Sequence, residues 1–169
     1  MRAMLASLFV LSQTLFASYC PFCDPAVIER QAFYEDDLVI VLYNYKPIFP
    51  GHSLIIPKRH IENFAHLTEE EITQIGRAIK KTHLLVSEVF HTSPYLIAEK
   101  NGREVGQSVP HIHFHYIPRK KGEDSILYFL WRSCLAQIQN PLPLMKMQEI
   151  TNLLQEANRS PLPPEEKTM

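Results

Sequence analysis

A chain of 169 residues with 46% hydrophobic and 21% charged content has the makeup of a soluble globular protein, long enough to bury a real core. Its formal net charge of -1 excludes a broad polyanion-binding surface, so long nucleic acid is not an expected partner. Three cysteines are too few, and odd in number, for a disulfide framework.

Residues 1–19 open with Arg2 and an apolar run from Met4 to Leu11, the outline of a secretory signal. The run is too short for a stable membrane span, which takes about 20 apolar residues. Phe16 also occupies a place that cleavage after Ser18 reserves for a small residue. The segment is read as a signal peptide or an N-terminal extension, with a cytoplasmic protein expected and export the alternative.

A Cys20-x-x-Cys23 pair follows, and Ala32–Asp37 reads as a short strand ending in an Asp-Asp turn. Leu38–Tyr43 reads as a buried strand, Asn44–Gly51 as a loop marked by Pro47, Pro50 and Gly51, and His52–Pro57 as the returning strand. Thr68 with Glu71 three residues on is a capping box. Ile72, Ile75, Ile79, Val86 and Val89 recur at helical spacing, so one long helix is predicted to run to Phe90, its isoleucine stripe packed in the core.

Tyr95–Ala98 is a further strand, and Asn101–Val109, with Gly102 and Gly106, is a loop. Residues 126–139 and 144–157 read as helices separated by Pro141 and Pro143. Cys134 is expected to be a buried small hydrophobe in the first of these. The predicted fold is α+β, with an antiparallel sheet of about five strands. The division is a domain over 20–122, a helical extension over 123–158, and a flexible tail over 159–169.

The chemistry concentrates at His111-Ile112-His113-Phe114-His115-Tyr116-Ile117. The intervening residues suit a strand, and strand alternation puts the three imidazoles on one face with the apolar residues on the other. Histidine titrates near neutrality and acts as base, nucleophile or metal ligand. Glycines ahead of such a strand let backbone approach a ligand, and Gln107 and Ser108 are neutral donors suited to phosphate oxygens.

Together with Asn44, Pro50-Gly51-His52 and Pro57-Lys58-Arg59-His60, this ordered set closely resembles the histidine-triad (HIT) superfamily of nucleotide hydrolases and transferases. His111–Ile117 matches the family's His-φ-His-φ-His-φ-φ signature, φ being apolar, and Gly106-Gln107-Ser108-Val109 matches its Gly-Gln-x-Val lead-in. The surroundings of Asn44 and His52 look like the branch that cleaves dinucleoside polyphosphates.

The resemblance implies a HIT-like fold, a purine nucleotide substrate and cleavage at the α-phosphate through a nucleotidyl-histidine intermediate. His113 would be the nucleophile, and His115 and His52 would contact phosphate oxygens. Gln107 and Ser108 would do the same or orient the leaving group. Asn44 would meet the ribose, Leu42 and Leu54 the base, and Asn101 would join the substrate-binding set. Some bacterial members bind a structural zinc, which here would fall to Cys20, Cys23, His60 and His111; no organic cofactor is expected.

Dimerisation through the long helix and a neighbouring strand is also implied. Lys100 departs from the family's usual Asn or Gln and bears on substrate preference. Two other readings remain open at this point: a nucleoside monophosphate-binding module of the same fold, and a metalloenzyme with all three triad histidines on one metal.

Overall fold

The computed structural model describes residues 19–120, 122–123 and 125–160. Residues 1–18 of the signal-or-extension segment and 161–169 of the expected tail lie outside the described residues. Five strands, β1 (Ala32–Glu35), β2 (Val39–Tyr43), β3 (Ser53–Pro57), β4 (Tyr95–Glu99) and β5 (Phe114–Pro118), form one sheet. Its order is β1-β2-β3-β5-β4, and every neighbouring pair is antiparallel. With helices α1 (Pro25–Gln31), α2 (Glu69–Phe90), α3 (Ile126–Ile138) and α4 (Leu144–Arg159), this is the expected α+β architecture. No helix among the described residues is long and apolar enough to cross a membrane.

Local chemistry sets the element ends. Asp36 closes the β1–β2 turn, its Oδ1 accepting from the Leu38 and Val39 N–H groups at 2.9 and 2.8 Å. The capping box of α2 forms in full: Thr68 Oγ1 accepts from the Glu71 N–H, and the Glu71 side chain accepts from the Thr68 N–H. Helix α1 was not among the expected elements. Its signal is Asp24-Pro25, an N-cap accepting from the Ala26 N–H followed by proline at the first helical position.

The central strands β2 and β3 are buried on both faces of the sheet. On one, α2 and α4 cover a core that includes Tyr43, Ile55, Ile112, Phe114, Tyr116, Leu85 and Leu154. On the other, Ile40, Leu42, Leu54 and Ile56 pack beneath Phe22, Val27 and Ile28 of the N-terminal turn and α1. The histidine strand starts later than expected. The Ile112 N–H donates to the Ile61 carbonyl at 2.6 Å instead of joining the ladder, and β5 pairing begins at Phe114. The alternation nevertheless runs through residues 112–116, because Ile112, Phe114 and Tyr116 all enter the α2-facing core.

One expectation in this region is overturned. Cys134 is exposed, because α3 turns Phe129, Ser133, Ala136 and Gln137 inward and carries residue 134 on the outer side. Arg59 forms a two-pronged ion pair with the buried Glu71, Nε to Oε1 at 2.9 Å and Nη2 to Oε2 at 2.7 Å.

That pair makes stability depend on pH. The Arg59 guanidinium, with help from the Thr68 cap, holds the Glu71 carboxyl below its ordinary range. The stabilisation is therefore present at neutral pH and is lost as pH falls from the unfolded-state value through the lowered one. Urea unfolding should show wild-type stability falling on acidification over that window and Glu71→Gln falling less. Thr68→Ala should cost about 1 kcal/mol at pH 7.

Candidate active site

The β3–β5 pairing sets the site. Leu54 is opposite His115, and on the far side of β5 Ala98 is opposite the same histidine. His52 precedes β3 and is delivered by Gly51, whose φ of +90° and tight quarters admit no side chain: a Cβ there would sit 2.7 Å from Val86 Cγ1. The imidazoles of His52, His113 and His115 then face one cavity of about 570 Å³. Its other walls include Phe22, Gln31, Asn44, Leu54, Lys100, Ser108 and residues of α3.

Hydrogen bonds to groups of fixed polarity assign each ring its tautomer. The His113 Nδ1 lies 2.8 Å from the His111 carbonyl oxygen, which can only accept, so Nδ1 carries the proton and Nε2 keeps its lone pair. The His52 Nδ1 accepts from the Ile48 N–H at 3.1 Å, which puts the proton of the neutral ring on Nε2. That Nε2–H donates to His115 Nδ1 at 3.0 Å, so His115 carries its own proton on Nε2. The result is one unprotonated nucleophilic nitrogen and one N–H donor on adjacent rings, whose centroids are 4.9 Å apart.

Burial keeps these rings neutral. It lowers His52 well below the usual histidine range, with the neighbouring His115 and His113 adding to it. It pushes His115 down to about 3, with His113 and the Lys100 ammonium adding. His113 is lowered by burial and by Lys100, against the opposing pull of its bond to His111.

The remaining substrate-site expectations divide. Asn44 and Ser108 line the cavity with Leu54. Asn44 Oδ1 accepts from the Lys46 N–H, which fixes the amide and turns its Nδ2 to within 3.3 Å of His52 Nε2. Leu42 is fully buried beside Leu54, beneath the cavity wall. Gln107 is a loop brace, accepting from the Gly102 N–H at 2.7 Å and donating to the Glu62 carbonyl at 2.9 Å. Asn101 likewise ties the Phe64 N–H to Glu99. His52 reaches the cavity, but its nitrogens are engaged by Ile48 and His115. Phe22, whose ring meets His113 edge-on at 5.0 Å, had no distinguishing signal in the sequence.

His111 faces a second centre. Cys20, Cys23, His60 and His111 present four ligand atoms all within 4.8 Å of one another. His111 Nδ1 is 3.4 Å from Cys20 Sγ and 3.5 Å from Cys23 Sγ, and His60 Nδ1 is 3.3 Å from Cys23 Sγ. A tetrahedral site with ordinary zinc–sulfur and zinc–nitrogen bonds has edges of roughly 3.3–3.8 Å, so these three distances match one and the four residues could hold a metal. His111 Nε2–H donates to the Pro57 carbonyl at 2.9 Å, fixing the tautomer that leaves Nδ1 free to coordinate. A single metal on all three triad histidines does not match this arrangement, since His111 turns Nδ1 to the cysteines and Nε2 to the Pro57 carbonyl.

A family model described as the HIT domain matches residues 26–122, more than half the chain. The chain belongs to the HIT family. It is 40% identical over 98 residues to the asymmetrical bis(5'-nucleosyl)-tetraphosphatase of Schizosaccharomyces pombe, covering 58% of this chain and 54% of that one. It is 34% identical over 112 residues to an uncharacterised HIT-like protein of Methanocaldococcus jannaschii, covering 65% and 86%. The chain thus spans about half the length of the tetraphosphatase. Among solved structures, Plasmodium falciparum diadenosine triphosphate hydrolase in complex with Cyclomarin A superposes with a TM-score of 0.62 at 27% identity, covering 76% of each chain.

The tautomers are directly measurable. Long-range ¹H–¹⁵N spectra should place the proton of His113 on Nδ1 and those of His52 and His115 on Nε2. His113 and His52 should titrate below the ordinary histidine range, and His115 only near pH 3. A His113 whose proton sits on Nε2 in the neutral ring would overturn the assignment.

Proposed function

We propose that this HIT protein cleaves a dinucleoside polyphosphate at the α-phosphate through a nucleotidyl-His113 intermediate. The observation that carries the reading is the bond from His113 Nδ1 to the His111 carbonyl, which leaves an unprotonated Nε2 beside the His115 donor in a cavity wide enough for a nucleotide. A neutral imidazole held this way attacks phosphorus without a separate base. As the N–P bond forms, the bond to the bridging oxygen breaks and its electron pair leaves with the departing nucleotide. The His111 carbonyl stabilises the positive charge that develops on the ring. Water then cleaves the N–P bond and releases the nucleoside monophosphate.

His115 donates its Nε2–H to the phosphate oxygens, where charge builds. His52 acts by holding His115 in that tautomer, itself oriented by the Ile48 N–H. Ser108 adds a donor at the phosphate, Asn44 meets the ribose hydroxyls, and Leu54 with Phe22 encloses the base. Gln107 and Asn101 shape the loop that carries Ser108. Lys100 puts a cation at the cavity wall, where a polyphosphate leaving group passes.

Cys20, Cys23, His60 and His111 would hold a structural zinc ion, which supplies a rigid closed anchor for the chain segment entering β5. Partial desolvation and the neighbouring Cys20 push the Cys23 thiol up to about 11 without a metal, so a cation is what makes the Cys23 thiolate available at neutral pH. Cysteines that serve as metal ligands and form no disulfide go with a cytoplasmic location. The protein pairs as a homodimer along edge strand β4, where Tyr95 and Leu96 are 45% and 43% exposed beside α2.

Two measurements test this. In a panel of diadenosine polyphosphates and adenosine phosphoramidate, wild type should release AMP, and His113→Ala should lose at least about a thousandfold in kcat while still binding nucleotide. Absence of turnover on every substrate by metal-replete protein would sink the reading. Purified protein should carry one zinc per chain, and Cys23→Ser should lose it and melt at least about 5 °C lower.

A further inference from the structure

The nucleotide cavity has walls that the reacting histidines do not use. Two belong to helices outside the sheet: Gln31, the last residue of α1, and the inner stripe of α3 formed by Phe129, Ser133, Ala136 and Gln137. Helix α3 lies beyond residues 26–122, the part that matches the HIT domain. It is pinned to the loop between Asn44 and His52, with Arg132 donating to the Ile48 carbonyl at 3.0 and 2.6 Å and Gln139 to the Pro47 carbonyl at 3.1 Å.

Gln31 is the more informative side chain. It is 8% exposed, lines the cavity, and its carboxamide makes no hydrogen bond within the described residues. A largely buried carboxamide that has no protein partner and reaches water only through a cavity is suited to pairing with a ligand there. Its place is the nucleoside end: Gln31 immediately precedes Ala32, which pairs with Leu42, two residues before Asn44. Gln137, an exposed residue of α3, lines the same cavity, its backbone carbonyl accepting from Lys46 Nζ at 3.5 Å while the Lys46 N–H donates to Asn44.

We propose that Gln31, assisted by Gln137, reads the edge of the nucleobase and gives the cavity a preference for adenine. A glutamine carboxamide offers one donor direction and one acceptor, which match the N6 amino group and N7 of adenine in a bidentate pair. Guanine presents two acceptors, O6 and N7, on the same edge, and leaves the carboxamide oxygen facing an acceptor. The apolar walls of Phe22, Val27 and Leu54 accept either purine, so discrimination falls to the amides. The assignment of this end to the base rests on the proposed nucleotide reading.

The test is calorimetric, on the non-reacting His113→Ala protein with AMP and GMP. AMP should bind at least about tenfold tighter than GMP. Gln31→Leu should bring that ratio close to one, and Gln31→Glu, which keeps the side-chain volume and removes the donor, should also reduce it. Gln137→Ala should reduce it by a smaller factor. Each variant is accepted only if its melting temperature stays within a few degrees of the parent. Equal binding of AMP and GMP by the parent, or an unchanged ratio in both Gln31 variants, overturns the proposal. Wild-type turnover separates the two readings: selective, Gln31-dependent binding without hydrolysis defeats the hydrolase and keeps adenine reading, whereas indifferent hydrolysis of diadenosine and diguanosine polyphosphates does the reverse.

Discussion

Ile112, Phe114 and Tyr116 hold the site in place without lining its cavity. Their burial against the α2-facing core sends His111, His113 and His115 to the opposite side, and a one-residue slip would exchange the two sets. The apolar burial at stake is several side chains deep, each worth on the order of 1.5–3 kcal/mol. No alternative arrangement of the imidazoles competes with that. The histidines are thus positioned by their neighbours' hydrophobicity, and hydrogen bonding only selects which nitrogen of each ring is protonated.

That selection is where one imidazole comes to differ from the next. His111 binds the Pro57 carbonyl through Nε2, His113 binds the His111 carbonyl through Nδ1, and His52 accepts from the Ile48 N–H. Three backbone groups produce three distinct rings. None of them is a side-chain carboxylate, and the cavity wall holds no acidic residue among the described residues. Neutral rings suit a substrate that brings its own negative charge, because a buried carboxylate beside a polyphosphate would repel it.

Much of this was legible from residue types. The α2 capping box, the strand pattern around Tyr43 and Ile55, and the His-x-His-x-His alternation are local signals, and each appears where the pattern placed it. The Cys20, Cys23, His60 and His111 cluster was legible only through a family parallel, since spacing alone does not bring His60 to Cys23. What escaped depends on tertiary contact. Gln107 and Asn101 have side chains suited to phosphate, but Gly102 and Phe64 claim them first. Cys134 faces outward because α3 gives its inner stripe to the cavity. Helix α1 is seven residues long, too short for a periodic pattern to stand out.

The separation between sheet and helices has a consequence for how such a protein can change over generations. The groups suited to bond-making sit on β5 and its approach, where core packing leaves little room for substitution. Two further walls of the cavity come from α1 and α3, which lean on the site from outside, α3 being tied to the loop between Asn44 and His52. A lineage can therefore alter what it accepts by drifting in the helices, while what it does to the accepted molecule is inherited intact.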